Sequence, residues 1–191
     1  MSGAHYPLFL QLAGRRVLVV GGGPVATEKG LALVAAGARV RVVAPVVGDA
    51  LAAAADDVQR REFVETDADD AWLVLSAAPP EVNREVRAAA DARRIFCLAV
   101  DDVESCTAIG AARLQRGALT IAISSGGAAP ALVALVRRAL DALLPAELGA
   151  WEDVAVRARA DWKREKLPMA ERRPLLLRAL NDLYALDARL P

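Results

Sequence analysis

The feature that most constrains this chain is the stretch Arg16-Val17-Leu18-Val19-Val20-Gly21-Gly22-Gly23-Pro24-Val25-Ala26-Thr27-Glu28-Lys29. An apolar run of strand length feeds directly into Gly21-x-Gly23-x-x-Ala26, which opens an alanine- and leucine-rich helix. In a strand-turn-helix of this form Gly21 permits the tight turn, Gly23 lets a pyrophosphate approach the backbone, and the small Ala26 lets the helix pack close to the sheet. The unpaired N–H groups and positive dipole end of the helix favour an anion there. A second apolar strand over residues 38–44 completes a β-α-β unit, the context that distinguishes a dinucleotide fingerprint from a glycine turn with a packing role.

The acidic residue expected about twenty positions further on, to bind the ribose hydroxyls, is missing. That place reads Val43-Ala44-Pro45-Val46. The ribose is then held by backbone groups or water, and NAD is not distinguished from NADP by this criterion.

At 191 residues the chain is long enough for one sizeable core, or one domain with an appendage. Its formal net charge is zero, so the totals suggest neither a nucleic-acid nor a membrane partner. Cys97 and Cys106 are too few for a disulfide framework, which points to a reducing cytoplasm. The first residues lack the basic and apolar regions of a signal peptide, and a soluble protein is expected.

Residues 7–12 read as a lead-in covering a sheet edge, 49–55 as a short helix, and 59–64 as a short strand. A helical turn is capped within residues 67–70, and 72–77 form a buried parallel strand. Pro79-Pro80 opens a charged helix over 81–94. Ligands of doubly wound sheets bind beyond the carboxyl ends of the strands, which places Ala77, Ala78 and Asn83 beside the cofactor. The strand over 95–100 ends on Asp101-Asp102. A carboxylate there is either an acid/base group facing the crevice or the cap of a turn.

A further turn and strand over residues 113–123 empty into Ser124-Ser125-Gly126-Gly127-Ala128-Ala129-Pro130, followed by a helix over 131–144. This second small-residue turn offers hydroxyl and backbone donors to an anion, or simply caps the helix. Two helices, over 151–167 and 174–190, finish the chain, with breaks at Pro168 and Pro174. Their basic residues are interspersed with acids and read as a solvated face, so no nucleic-acid partner is inferred.

The order Pro7-Leu8-Phe9-Leu10, the glycine turn, Val82-Asn83, Val100-Asp101, Ala122-Ile123-Ser124-Ser125-Gly126-Gly127-x-x-Pro130 and Leu143-Leu144-Pro145 resembles the precorrin-2 dehydrogenase family, including the N-terminal half of siroheme synthase. The resemblance covers nearly the whole chain. It implies an α/β fold: a Rossmann-like NAD-binding domain (1–112), a small α+β dimerisation region (113–145) and a C-terminal helical region (146–191). It also implies an interlocked homodimer that oxidises precorrin-2 to sirohydrochlorin with NAD, on the route to sirohaem or cobalamin. Some members also insert iron into the product.

By the same resemblance Asp101 is the catalytic aspartate. Gly21, Gly22, Gly23, Pro24, Val25, Pro45, Val46 and Ala77 hold the cofactor, and Ser124, Ser125, Gly126 and Gly127 face the tetrapyrrole. No metal site is expected, since His5 is the only histidine and the cysteines are not spaced as a zinc pair. The chain departs from the family pattern at Pro79-Pro80, Leu98, Ala108 and Ala111. Those changes keep one alternative open, a non-catalytic carrier or sensor of the same fold; a second, a nucleotide-gated regulatory module like those of ion transporters, would lack the Ser124 to Pro130 turn and the dimerising helix.

Overall fold

A computed structural model describes residues 5–187. Five parallel strands form one sheet in the order β3-β2-β1-β4-β5. They are β1 (Arg16–Val20), β2 (Arg39–Val43), β3 (Asp57–Gln59), β4 (Leu73–Ser76) and β5 (Phe96–Ala99). The connections are α1 (Pro24–Ala35), α2 (Asp49–Ala54), a 3-10 turn at Glu65–Ala68, and α3 (Pro80–Ala92). A second 3-10 turn, Val103–Ser105, follows β5. This is a Rossmann-like α/β fold, as the sequence led us to expect.

The continuous apolar runs are explained by burial on both faces of the sheet. Val17 and Val19 of β1 join one core cluster with Val40, Val42 and Leu51. Leu18 and Val20 point the other way, to Val74, Val86 and Ala90. Each fully buried side chain of this kind contributes roughly 1.5–3 kcal/mol. Of the lead-in, Leu12 enters the core while Leu8, Phe9 and Leu10 stay exposed.

The chain divides into two compact units. The first runs to Gly110 and takes in Gly126–Ala128. The second, Ala111–Ser125 and Ala129 onward, contains the antiparallel hairpin β6 (Ala112–Arg116) and β7 (Leu119–Ile123). It also contains helices α4 (Pro130–Leu143), α5 (Leu148–Arg164) and α6 (Met169–Asp187). Arg116 of β6 is ion-paired to Asp141 of α4.

Three local expectations are corrected. The third strand lies at Asp57–Gln59, because its backbone pairs with β2 from Arg41↔Asp57 to Val43↔Gln59, reinforced by the 2.7 Å Arg41–Asp57 ion pair. The chain then turns away, and Arg61 donates two hydrogen bonds to buried Asp67 at 2.7 and 2.6 Å. Residues 112–116 form a strand of their own, since Gly117 at φ +59° turns them into a hairpin. Pro174 lies inside α6, in its second turn, where it forfeits one intrahelical bond without ending the helix.

Candidate dinucleotide and substrate site

The glycine turn lies at the carboxyl ends of β1 and β4, where the strand order reverses, the place at which doubly wound sheets bind ligands. Each glycine has a different reason to be there. Gly21, at φ +116°, passes so close to β4 that a Cβ would collide with the Ala77 carbonyl. Gly22 abuts the loop after β2, where a Cβ would strike the Val46 carbonyl, and its own oxygen accepts the Gly48 N–H at 3.0 Å. Gly23 is the open one: nothing lies within 4 Å of where its Cβ would stand. That space above the start of α1 suits a pyrophosphate. Pro24, at the first helical position, has no N–H to lose, and Val25 follows it on the exposed first turn. Ala26 is fully buried against the sheet, as the fingerprint requires.

Pro45 and Val46 are exposed on the loop facing Gly22, Val46 by 79%. Ala77 is half-buried and donates its N–H to the Val20 carbonyl at 2.8 Å. Thus Gly21–Val25, Pro45, Val46 and Ala77 all lie at the carboxyl end of the sheet, following β1, β2 and β4.

The two aspartates after β5 have separate fates. Asp102 accepts the Ser105 N–H on Oδ1 at 3.2 Å and caps the following 3-10 turn. Its Oδ2 accepts from Asn83 Nδ2, also at 3.2 Å. Hydrogen bonding from Ser105 holds the Asp102 carboxyl below the ordinary range, with help from Asn83 and against the opposing effect of desolvation. Asp101 is exposed, at φ +58°. Among the described residues no hydrogen bond or ion pair reaches its carboxylate. A left-handed non-glycine residue of this kind costs about 1 kcal/mol or more, and such residues cluster at functional sites.

Asn83, expected beside the cofactor, is instead enclosed in the protein. It is 2% exposed, and its Oδ1 accepts the Ser76 hydroxyl at 2.6 Å. The signal for this lay in Ser76 itself: a serine ending a fully buried strand needs a partner. The Gly22 packing role was also missed, although a third consecutive glycine outside the fingerprint spacing hinted at it.

In the second turn, Gly126 and Gly127 have φ of +66° and +84°. A Cβ on Gly126 would come within 2.7 Å of the His5 imidazole, and one on Gly127 within 2.7 Å of the Val103 side chain. Val103 follows the aspartate pair, so Gly127 lies beside the loop that carries Asp101. Ser124 is exposed, and Ser125 Oγ accepts the Ala129 N–H at 2.9 Å, at the entrance to α4.

The cysteines are built into the sheet edge. The Cys106 thiol lies 3.2 Å from the Ala99 nitrogen and 3.1 Å from its oxygen, and Thr107 Oγ1 accepts the Cys97 N–H at 2.7 Å. Burial, with Cys106 nearby, pushes the Cys97 thiol up to about 11. Among the described residues no three His, Cys, Asp or Glu side chains could together hold a metal ion. No helix among them is long and apolar enough to cross a membrane.

Comparison with known proteins agrees with this geometry. The family described as "Putative NAD(P)-binding" matches residues 8–112, and that described as "Sirohaem biosynthesis protein central" matches 116–143. Siroheme synthase of Salmonella arizonae is 38% identical over 174 residues, covering 88% of this chain and 38% of that protein. Siroheme synthase 2 of Cronobacter sakazakii is 40% identical over the same shares. The chain therefore spans well under half the length of these relatives. The solved structure of SirC, precorrin-2 dehydrogenase, superposes with a TM-score of 0.72 at 25% identity, covering 95% of this chain and 92% of that one. With more than half its length matched and the glycine turn at the switch point of the sheet, this chain belongs to the NAD(P)-binding family and carries the sirohaem biosynthesis central segment behind it.

Proposed function

We propose that the chain oxidises precorrin-2 to sirohydrochlorin, using NAD as the hydride acceptor. The observation that carries the reading is the pairing of an open dinucleotide turn at Gly23 with an exposed carboxylate, Asp101, at the end of β5 in the same unit. The likeness to SirC, precorrin-2 dehydrogenase, and to the siroheme synthases supports precorrin-2 as the substrate.

When bound, NAD supplies an acceptor for the hydride. The free N–H groups at the start of α1 hold the pyrophosphate, and the loop carrying Pro45 and Val46 borders the ribose and adenine. Ser124, Ser125, Gly126 and Gly127 offer donors to the carboxylate rim of the tetrapyrrole. One carbon–hydrogen bond gives up a hydride, that is two electrons and one proton, while Asp101 takes the second proton from another bond of the macrocycle, whose electron pair stays behind as the new double bond.

Helix α4 supports a homodimer. None of its residues is buried, and Leu132, Leu135 and Leu143 are more than half exposed. A second copy of this chain covers that face. In this reading residues 1–112 bind the cofactor, 113–145 dimerise, 146–191 form the helical end, and the protein works in the cytoplasm.

The test is anaerobic turnover of precorrin-2 with NAD, followed by the visible spectrum of sirohydrochlorin. Asp101→Asn is the informative variant, because asparagine tolerates the left-handed backbone that alanine resists. We expect the wild type to turn over and the variant to lose roughly 10²–10⁴-fold in rate while still binding NAD. A wild type that binds both ligands without producing NADH is instead a carrier. Ferrous ion added after turnover tests the metal insertion that the family resemblance implies.

A further inference from the structure

Asp101 opens a loop that is tied back to the sheet on either side of it. Before it, the Val100 N–H is bound to the Ser76 carbonyl at 2.8 Å. After it, Asp102 receives hydrogen bonds from Ser105 and Asn83. Ser76 thus fixes the loop twice: directly through its backbone, and through its side chain by way of Asn83.

The polarity of that second route is determined. An ionised Asp102 can only accept, so Asn83 must turn its amide nitrogen toward it. The Asn83 oxygen then faces Ser76, and the serine hydroxyl must donate. Ser76 is fully buried and Asn83 nearly so, leaving no water to substitute for a lost partner.

We propose that Ser76, Asn83 and Asp102 form a relay of positioning residues that holds Asp101 in its left-handed conformation, with its carboxylate outside the sheet. The relay rests on the assignment of Asp101 as the proton acceptor. It gives the buried asparagine, the strand-ending serine and the second aspartate one common role in the reaction, without any of them touching substrate.

The experiment uses the reciprocal swap. Asn83→Asp sets two carboxylates against each other. Asp102→Asn sets an amide nitrogen against one of the two donors that the aspartate accepts from, Asn83 or Ser105. Combined, the two substitutions restore a complementary chain. The Ser76 hydroxyl still donates to the carboxylate introduced at position 83, the amide introduced at 102 donates to that same carboxylate, and the amide oxygen still accepts the Ser105 N–H. Steady-state kcat and KM, NAD binding and thermal melting are measured for both single variants, the double variant and Ser76→Ala. Displacing a reacting group by about 1 Å costs roughly 10²-fold, so each single variant at 83 or 102 should lose that much in kcat. The KM for NAD should stay within about 2-fold, and the double variant should recover to within roughly 10-fold of wild type, on the same scale of misplacement.

Folded single variants with wild-type kcat overturn the relay, as does a folded double variant no faster than the singles. Should the singles fail to fold, the swap and Ser76→Ala decide: a fast swap with a slowed Ser76→Ala supports the relay, and any other pairing overturns it. Asp101→Asn separates this inference from the reading beneath it. If that variant keeps its rate, the assignment of Asp101 fails; if it is slow while the relay variants are fast, only the relay fails.

Discussion

The two units of this chain are stabilised differently. The sheet unit buries the apolar centre of its strands: Val17, Val19, Val40, Val42, Val43 and Val74 all have no exposed surface. In the hairpin and helix unit, Leu114 and Leu148 are the buried hydrophobic residues among those described, and α4 buries none. The first unit has a core that sustains itself. The second displays an amphipathic helix on which Leu132, Leu135 and Leu143 stay more than half exposed among the described residues, a pattern that marks an interaction surface.

The sharpest way to break this comparison is to cut equal leucines from both units. Leu51→Ala, at a fully buried site against Gly30, should cost about 2–5 kcal/mol in chemical denaturation. Leu135→Ala, at a position 57% exposed, should cost the isolated chain under about 0.5 kcal/mol. Its effect should appear instead in sedimentation, as a shift from dimer toward monomer. Equal losses at both sites, with no change in mass, would mean that α4 needs no second copy.

Within the sheet unit, the glycines give a finer contrast. Gly23→Ala has room for its Cβ, so the melting temperature should hold while the KM for NAD rises by about 10-fold, equivalent to roughly 1.4 kcal/mol. Gly22→Ala drives a Cβ into the Val46 carbonyl and should lower the melting temperature itself.

The smallest expected effect is electrostatic. Burial tends to raise the Asp67 carboxyl, but the Arg61 hydrogen bonds, the Val64 N–H and the Arg61 charge together hold it below the ordinary range. A depressed carboxyl contributes stability above its unfolded value of about 3.9 and loses it as pH falls through the folded value. The melting-temperature gap between wild type and Asp67→Asn should therefore stay constant above about pH 5 and shrink below about pH 4. Arg61 is 43% exposed, so solvent screens the pair and the gap should be no more than about 2–4 °C.

Much of the dinucleotide half was legible in the residues themselves. The β1-α1-β2 unit rests on local signals: an apolar run, glycine spacing and a helix start that need no distant partner. The positions Gly21 to Val25, proposed to hold the cofactor, follow from that same short range. The pair Asp101-Asp102 was not resolvable in this way, because adjacent carboxylates look alike until one of them is occupied by a cap and a buried amide.

The sequence by itself determined the order of elements, the glycine turn and the position of a carboxylate at a strand end, since each depends on neighbours within a few residues. Only the tertiary structure decided the register of β3, the packing role of Gly22 and the burial of Asn83 between Ser76 and Asp102. Those depend on partners distant in the chain, brought together by parallel strand pairing and by the need of buried polar atoms for hydrogen bonds.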